Sequence, residues 1–235
     1  MNYLFKNIKA LYILLINSPL KFSLIFIYSL TEFYLSKFKY RTLSKIFFWK
    51  KIFKKLKNTN SNINILEIGS YRGESSSFFL EEIKNSSITC VDTWEGSDEN
   101  KGIIKIKKHL YEENFTEIEK AFDEVEKKYK DRLIKKKETS QQFFNSFNEN
   151  KLGNEIYDLI YVDGSHYVDD VYFDAINSFR VLKKGGIIIF DDYLWFYYKN
   201  FHKNPISAIN LFYKTRKNEL EILYVYEQII FRKLV

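Results

Sequence analysis

The chain has 235 residues, of which 46% are hydrophobic and 18% aromatic, enough for one domain with a substantial core plus an extension. Its single cysteine, Cys90, excludes an internal disulfide, and no His/Cys cluster indicates zinc, so a cytoplasmic protein is expected. The net charge of +7 is uneven. Residues 1–57 carry eleven Lys and one Arg against a single acid, Glu32, which is a net charge of +11 and leaves −4 for the rest.

Residues 1–60 are predicted to form a basic, aromatic helical extension, because no glycine occurs before Gly69 and the only early proline is Pro19. A membrane span between residues 10 and 31 is not expected, because Pro19 and Lys21 interrupt it. The last helix of the extension is predicted to place lysines on one face and an apolar set on the other: Trp49, Ile52, Phe53 and Leu56.

Two interpretations of this basic extension stay open. Residues 1–57 either make peripheral contact with an anionic membrane on its inner, cytoplasmic face, or they pack on the domain that follows or on a second subunit of a homo-oligomer. Nucleic acid is not expected as a partner, because no recognisable nucleic-acid-binding fold accompanies the basic residues.

The rest of the chain is organised around residues 62–73, where an apolar run meets an acid and then two glycines. The run is predicted to be a buried parallel strand, because it is rich in β-branched isoleucine and is too short for a helix. Gly69 and Gly73 break the pattern, and a helix follows from Glu74. This order of strand, glycine turn and helix turns backbone N–H groups toward a nucleotide-like ligand.

Polar residues follow the next two predicted strands. The run 87–91 ends at Asp92, 25 residues after Glu67, where doubly wound folds hold ribose hydroxyls. Thr93 and Trp94 come next, and the indole either covers the adenine or belongs to the core. After the third strand, 132–137, two side chains either meet the adenine edge or cap the next helix: Thr139 and Ser140.

Acids also end the fourth and fifth predicted strands. Residues 156–162 run into Asp163, and residues 187–190 run into Asp191 and Asp192. Parallel strands deliver their carboxyl ends to one edge of the sheet, so these acids are expected to converge beside the glycine turn. Three carboxylates repel each other unless a cation lies among them, which predicts a Mg²⁺ site. His166 is the candidate general base for a substrate hydroxyl.

The first motif resembles that of class I S-adenosylmethionine-dependent methyltransferases. The resemblance implies that the loop of Gly69, Ser70, Tyr71 and Gly73 wraps the methionine part of the cofactor and that Glu67 orients its amine. It also implies the fold: an α/β, doubly wound, mostly parallel seven-stranded Rossmann-like sheet over residues 61–235, the predicted S-adenosylmethionine-binding domain.

Residues 161–167, 182–186 and 189–193 are similar to the family of macrocin and other sugar O-methyltransferases. This implies Mg²⁺-dependent O-methylation of a sugar or another small-molecule or glycan precursor, with Mg²⁺ held by Asp163, Asp191 and Asp192. The sugar enzymes carry a second Asp as the base where this chain has Ser165, so His166 takes that role. The Asp-x-x-His form is shared with cephalosporin hydroxylase-like proteins, which makes an oxygenase one alternative. A non-catalytic, membrane-recruited scaffold that retains the cofactor pocket is the other.

Overall fold

A computed structural model describes residues 3–35, 44–56, 62–96, 114–146, 155–195 and 197–235. Its centre is a seven-stranded sheet in the spatial order β3-β2-β1-β4-β5-β7-β6, with β7 antiparallel to both of its neighbours and the other pairs parallel. The strands are β1 (Ile63–Ile68), β2 (Ser86–Asp92), β3 (Leu133–Lys137), β4 (Tyr157–Val162), β5 (Leu182–Phe190), β6 (Leu220–Val225) and β7 (Ile229–Lys233).

Helices connect and cover these strands, as the predicted α/β fold requires. They are α1 (Tyr3–Asn17), α2 (Leu20–Leu35), α3 (Ser44–Leu56), α4 (Glu74–Glu82), α5 (Phe115–Tyr129), α6 (Ser140–Ser146), α7 (Val168–Val181) and α8 (Pro205–Arg216), with a short 3₁₀ helix at Phe201–Lys203. The predicted doubly wound, mostly parallel sheet is confirmed. Its strand order reverses between β1 and β4, and ligands bind at such a switch point in open α/β sheets.

The three N-terminal helices pack on this sheet domain. On α2, the Phe26 ring stacks on Tyr226 with the ring centroids 5.7 Å apart. On α3, the Trp49 indole lies against Phe79 of α4 at 4.9 Å and against Tyr161 of β4 at 5.4 Å. The apolar face predicted for α3 is therefore buried within the chain. The predicted boundary at residue 60 lies outside the described residues and stays a prediction.

Candidate active site

The glycine turn after β1 brings the ends of three strands together. The Gly69 N–H donates to the carbonyl of Val91 at 2.9 Å, and a Cβ added at Gly69 would lie 2.0 Å from the Asp163 carbonyl oxygen. Gly69 also has φ +84°, a conformation that L side chains rarely adopt. Gly73, with φ +77°, starts α4, and its N–H donates to the Ser70 carbonyl at 2.7 Å. Position 69 therefore requires glycine both for its backbone conformation and for space.

Asp92, at the end of β2, fixes the conformation of the glycine turn. Its Oδ2 accepts hydrogen bonds from the backbone N–H groups of Ser70 and Tyr71, both at 2.8 Å, and its Oδ1 accepts from the Trp94 N–H at 2.8 Å. A carboxylate offers about four acceptor positions, so one position is left for a ligand hydroxyl. The predicted ribose-binding role of Asp92 is compatible with this geometry.

A cavity of about 540 Å³ lies over the carboxyl ends of the strands. Its volume is within the range of about 300–1,000 Å³ that is typical of small-molecule sites. Nine of the residues predicted for the site line this cavity: Gly69, Tyr71, Asp92, Thr93, Trp94, Thr139, Ser140, Asp163 and His166. Long stretches of chain separate these residues in the sequence, and the sheet brings them to one edge.

Two residues that line the cavity also have the structural role given above as the alternative: Trp94 belongs to the core, and Thr139 caps the next helix. Trp94 is 4% exposed, packs on Phe122 at 4.7 Å and donates its indole N–H to the Tyr71 carbonyl at 2.8 Å. Thr139 accepts a hydrogen bond from the N–H of Gln142 at 3.1 Å, and its own N–H donates to the Gln142 side chain at 2.9 Å. Each residue therefore shapes the wall of the cavity and stabilises the local fold.

Glu67 lies apart from the predicted residues that line the cavity. Its side chain is fully buried and accepts hydrogen bonds from the hydroxyls of Ser75 and Ser76 in the first turns of α4. It does not line the cavity. The side chain lies in the layer between the sheet and α4, and its predicted contact with the cofactor amine stays a prediction. Burial raises the pKa of Glu67 to about 7, against the opposing effect of the serine hydrogen bonds.

Replacing Glu67 with glutamine is expected to remove a pH-dependent loss of stability. The pKa of Glu67 is about 7 in the folded chain and 4.5 for an ordinary glutamate. The contribution of Glu67 to the stability of the folded chain is therefore complete below about pH 4.5 and is lost as the pH rises through about 7. The loss is on the order of 3 kcal/mol. Urea unfolding at about pH 5 and about pH 8 would show a smaller pH dependence for Glu67→Gln than for wild type. The exposed acid of α4 provides the control, Glu74→Gln, and equal pH dependence in both variants would contradict the expectation.

The acids after β4 and β5 form a cluster that two further residues join. The Tyr161 hydroxyl lies 2.8 Å from Asp163 Oδ2 and also contacts Asp191 Oδ2, although its single proton can be donated to only one of them at a time. The Lys45 ammonium forms an ion pair with Asp191. Burial lowers the pKa of Lys45, but the attraction of Asp191, Asp163 and Asp192 outweighs this effect and raises it. Burial raises the pKa of Asp163 well above its usual range, and the neighbouring carboxylates raise it further.

Asp192 faces His166 rather than Lys45. Its Oδ2 lies 2.8 Å from His166 Nε2, and the imidazole stacks on Trp195 with centroids 4.6 Å apart. Burial alone would raise the pKa of Asp192, but the hydrogen bond and charge of His166 lower it below its usual value. Potential ligand atoms of Asp163, His166 and Asp192 all lie within 4.8 Å of one another. In the described parts of the chain, the group that can hold a metal thus includes His166, whereas the predicted third ligand, Asp191, is engaged by Lys45.

Sequence reasoning missed three residues of this region. Lys45 lies 146 positions before Asp191 and carried no signal beyond the basic pattern of its helix. Tyr161 was part of an apolar strand, although its position two residues before Asp163 places both side chains on the same side of β4. Asp174 of α7 is 2% exposed and lines the cavity, and burial raises its pKa to about 7. Its Oδ1 has no hydrogen-bond partner among the described residues. A buried acid in an amphipathic helix was the one available signal for Asp174.

The fold and the site together define a class of nucleotide-cofactor enzyme, and comparison with known proteins specifies it. Residues 66–193 match the family model described as a methyltransferase domain. This match spans more than half of the chain, so the chain belongs to this family and is an S-adenosylmethionine-dependent methyltransferase. None of the curated proteins compared with the sequence matches it significantly.

Solved structures show the same fold at low sequence identity. The O-methyltransferase TomG from Streptomyces achromogenes, which is involved in tomaymycin synthesis and was solved with S-adenosylmethionine, is 10% identical with a TM-score of 0.56; the match covers 88% of this chain and 86% of TomG. MycE, a methyltransferase of mycinamycin biosynthesis solved with Mg and S-adenosylhomocysteine, is 13% identical with a TM-score of 0.52. That match covers 79% of this chain but 48% of MycE. These likenesses establish the fold.

Proposed function

We propose that this methyltransferase transfers a methyl group from S-adenosylmethionine to a hydroxyl of a sugar or of another small-molecule or glycan precursor, with assistance from a divalent cation. The observation that carries the proposal is the position of Asp163 and His166. Both residues line the same cavity as the glycine turn and Asp92, and both belong to the group of potential metal ligands. The proposed binding site of the methyl donor and the cluster of acids and histidine therefore lie beside each other in one cavity.

The donor half of the site is formed by backbone and carboxylate groups. The turn that begins at Gly69 faces the cavity, and Asp92 retains one acceptor position that suits a ribose hydroxyl. Thr139 and Ser140 line the same cavity and suit the adenine edge. S-Adenosylmethionine supplies a methyl group on a positively charged sulfur, which keeps the C–S electron pair when the methyl group leaves.

The acceptor half needs a group that takes the hydroxyl proton as the new O–C bond forms. His166 is suited to this role, because an imidazole accepts a proton near neutral pH and the Asp192 carboxylate stabilises the resulting imidazolium. Trp195 stacks on His166, and Tyr198 lies 4.9 Å from Trp195. These rings form an aromatic cluster beside the base, which supports a ring-shaped acceptor such as a sugar.

The donor chemistry of the cluster fits a divalent cation. Asp163 and Asp192 each offer a carboxylate oxygen, and a ring nitrogen of His166 lies within 4.8 Å of both. We assign the cation to the two carboxylates, because an imidazole nitrogen that binds the cation cannot also take the hydroxyl proton. Both Mg²⁺ and Mn²⁺ accept carboxylate oxygens. The cation would hold the acceptor oxygen and lower the pKa of its proton. Mg in the complex of MycE, a protein of the same fold, supports this assignment.

Calorimetric titrations with S-adenosylmethionine and with Mn²⁺ test the two halves separately. Asp163→Asn is expected to weaken Mn²⁺ binding by about a hundredfold, because it removes a charged ligand. Asp92→Asn is expected to weaken S-adenosylmethionine binding about tenfold or more, through the ribose contact and the glycine turn. Asp169→Asn, an exposed acid in the first turn of α7, should change neither.

The alternatives are distinguished by what turnover consumes. Incubation with a panel of nucleotide sugars and free sugars should release S-adenosylhomocysteine without oxygen consumption. Oxygen uptake without S-adenosylhomocysteine would favour the hydroxylase-like alternative, and failure of wild type to bind S-adenosylmethionine would favour the scaffold. Mn²⁺ binding that survives Asp163→Asn unchanged would contradict the proposed cation site.

A further inference from the structure

Helices α1 and α2 expose a continuous apolar surface. Among the described residues, ten of the sixteen exposed large hydrophobic side chains lie on these two helices. The four of these residues on α1 are separated by four, three and one positions, and the first four on α2 have the same spacing. Each group of four therefore lies on one face of its helix. We call the eight residues between positions 8 and 28 the hairpin surface, and each is 46–65% exposed: Ile8, Tyr12, Leu15, Ile16, Leu20, Leu24, Ile27 and Tyr28.

The fold itself does not account for this surface. The opposite face of the same helices already forms core contacts through Leu14, Phe22, Phe26 and Phe33, each 2% exposed or less. A surface helix normally carries polar residues on its outer face, whereas α1 and α2 are apolar on both faces. A contiguous exposed apolar patch of this kind indicates an interaction site.

Two exposed lysines lie along the hairpin surface, and the first acid of the chain, Glu32, forms a hydrogen bond with Tyr28 and an ion pair with Lys51. Lys9 is exposed and lies in line with Tyr12 and Ile16 on α1, and Lys21 is exposed and lies in line with Leu24 and Tyr28 on α2. Residues 1–31 contain no acid. This pattern suits an anionic partner, whereas a second copy of the chain would bring like charges together across the contact.

The dimensions indicate a segment that lies on a bilayer. Helices of 15 and 16 residues are about 23 Å long, shorter than the hydrocarbon core of about 30 Å. None of the helices in the described ranges is both long and apolar enough to cross a membrane. Tyr12 and Tyr28 provide the amphipathic rings that are favoured at a lipid–water interface.

The hairpin surface is held rigidly on the catalytic domain. Ser18, between α1 and α2, forms a 2.9 Å hydrogen bond with the Tyr193 hydroxyl, one residue after Asp192. The Asn210 amide donates to the Asn17 carbonyl at 2.8 Å. The surface is therefore preformed, which avoids an ordering cost when a partner binds.

We infer that the hairpin surface docks this methyltransferase on the surface of an anionic lipid bilayer. Leu and Ile side chains enter the interface between headgroups and acyl chains, and Lys9 and Lys21 contact anionic headgroups. The affinity then depends on both apolar burial and charge. This inference rests on the surface alone and holds for any methyl acceptor.

Flotation of the full chain with vesicles tests the inference. Wild type is expected to float with vesicles of phosphatidylglycerol and phosphatidylcholine in equal parts, and to bind about tenfold more weakly to phosphatidylcholine alone. The double variant Leu24→Glu/Ile27→Glu should lose about tenfold or more in binding to the anionic vesicles. Leu211→Glu is the matched control, because Leu211 is a similarly exposed leucine, 48%, on α8.

A second variant keeps the test independent of folding. Lys9→Gln/Lys21→Gln removes two exposed charges and should weaken binding to the anionic vesicles by about tenfold, with unchanged thermal unfolding. The inference is overturned if wild type does not float. It is also overturned if Leu24→Glu/Ile27→Glu floats like wild type but converts an oligomer to a monomer in size-exclusion chromatography, because the occupant is then a second copy.

Discussion

Gly69→Ala is expected to weaken the binding of S-adenosylmethionine severely. A Cβ at this position would lie 2.0 Å from the Asp163 carbonyl oxygen and 2.4 Å from its carbonyl carbon. Both atoms belong to the backbone, so the end of β1 and the segment after β4 must move apart. That movement displaces the glycine turn from Asp92 and shifts Asp163 at the same time. We expect the affinity for S-adenosylmethionine to fall by about a hundredfold or more, equivalent to about 3 kcal/mol.

The variant Gly185→Ala distinguishes the two effects expected for Gly69→Ala, the steric clash with Asp163 and the strain of the left-handed backbone. Gly185 has φ +78°, close to the +84° of Gly69, but an added Cβ there meets no atom of the described residues within 4 Å. Both variants should lose about 1–2 kcal/mol of folding free energy from the left-handed backbone. Gly69→Ala alone should lose about 1–3 kcal/mol more from overpacking. Calorimetric titration and urea unfolding of both variants give the comparison, and equal affinities for S-adenosylmethionine would contradict the expected role of the turn.

The same local signals explain why the fold was predictable from the sequence. The strands β1, β4 and β5 are rich in buried apolar residues, and each is followed by a turn with Gly or Asp and then by a new segment. Parallel strands joined by helices present their carboxyl ends on one edge, so Asp163 and Asp191 had to meet. That they do so, bridged by the Tyr161 hydroxyl, follows from topology.

The contacts of individual side chains were not predictable in the same way. In a strand buried on both faces, a continuous apolar pattern does not show which layer a polar residue faces, and Glu67 faces α4 instead of the cavity. Membership of the acid cluster also depends on packing between distant elements. Lys45 reaches Asp191 because α3 lies against α4 and β4 through Trp49, and no spacing within the chain encodes that approach.

Lys45→Met is expected to make the stability of this enzyme depend on a divalent cation. The side chain of Asp191 has no exposed surface, so removal of the Lys45 ammonium leaves the buried Asp191 carboxylate without its ion-pair partner. Breaking a buried ion pair costs about 3–5 kcal/mol, and we expect about 2 kcal/mol here because the Lys45 side chain is 37% exposed. Mg²⁺ or Mn²⁺ should restore this loss, since ligands that bind the folded chain stabilise it.

Lys51→Met is the matched control for this prediction. Lys51 lies on the same helix, is 36% exposed and forms an ion pair with Glu32, away from the acid cluster. Thermal unfolding of both variants with and without Mg²⁺ should show a larger cation-dependent stabilisation for Lys45→Met than for Lys51→Met or wild type. Equal stabilisation would show that the lysine does not neutralise the cluster. A larger stabilisation of Lys45→Met would show that the Lys45 ammonium and a divalent cation compete for the same carboxylates. Helix α3 would then influence the metal affinity of a site formed by β4 and β5.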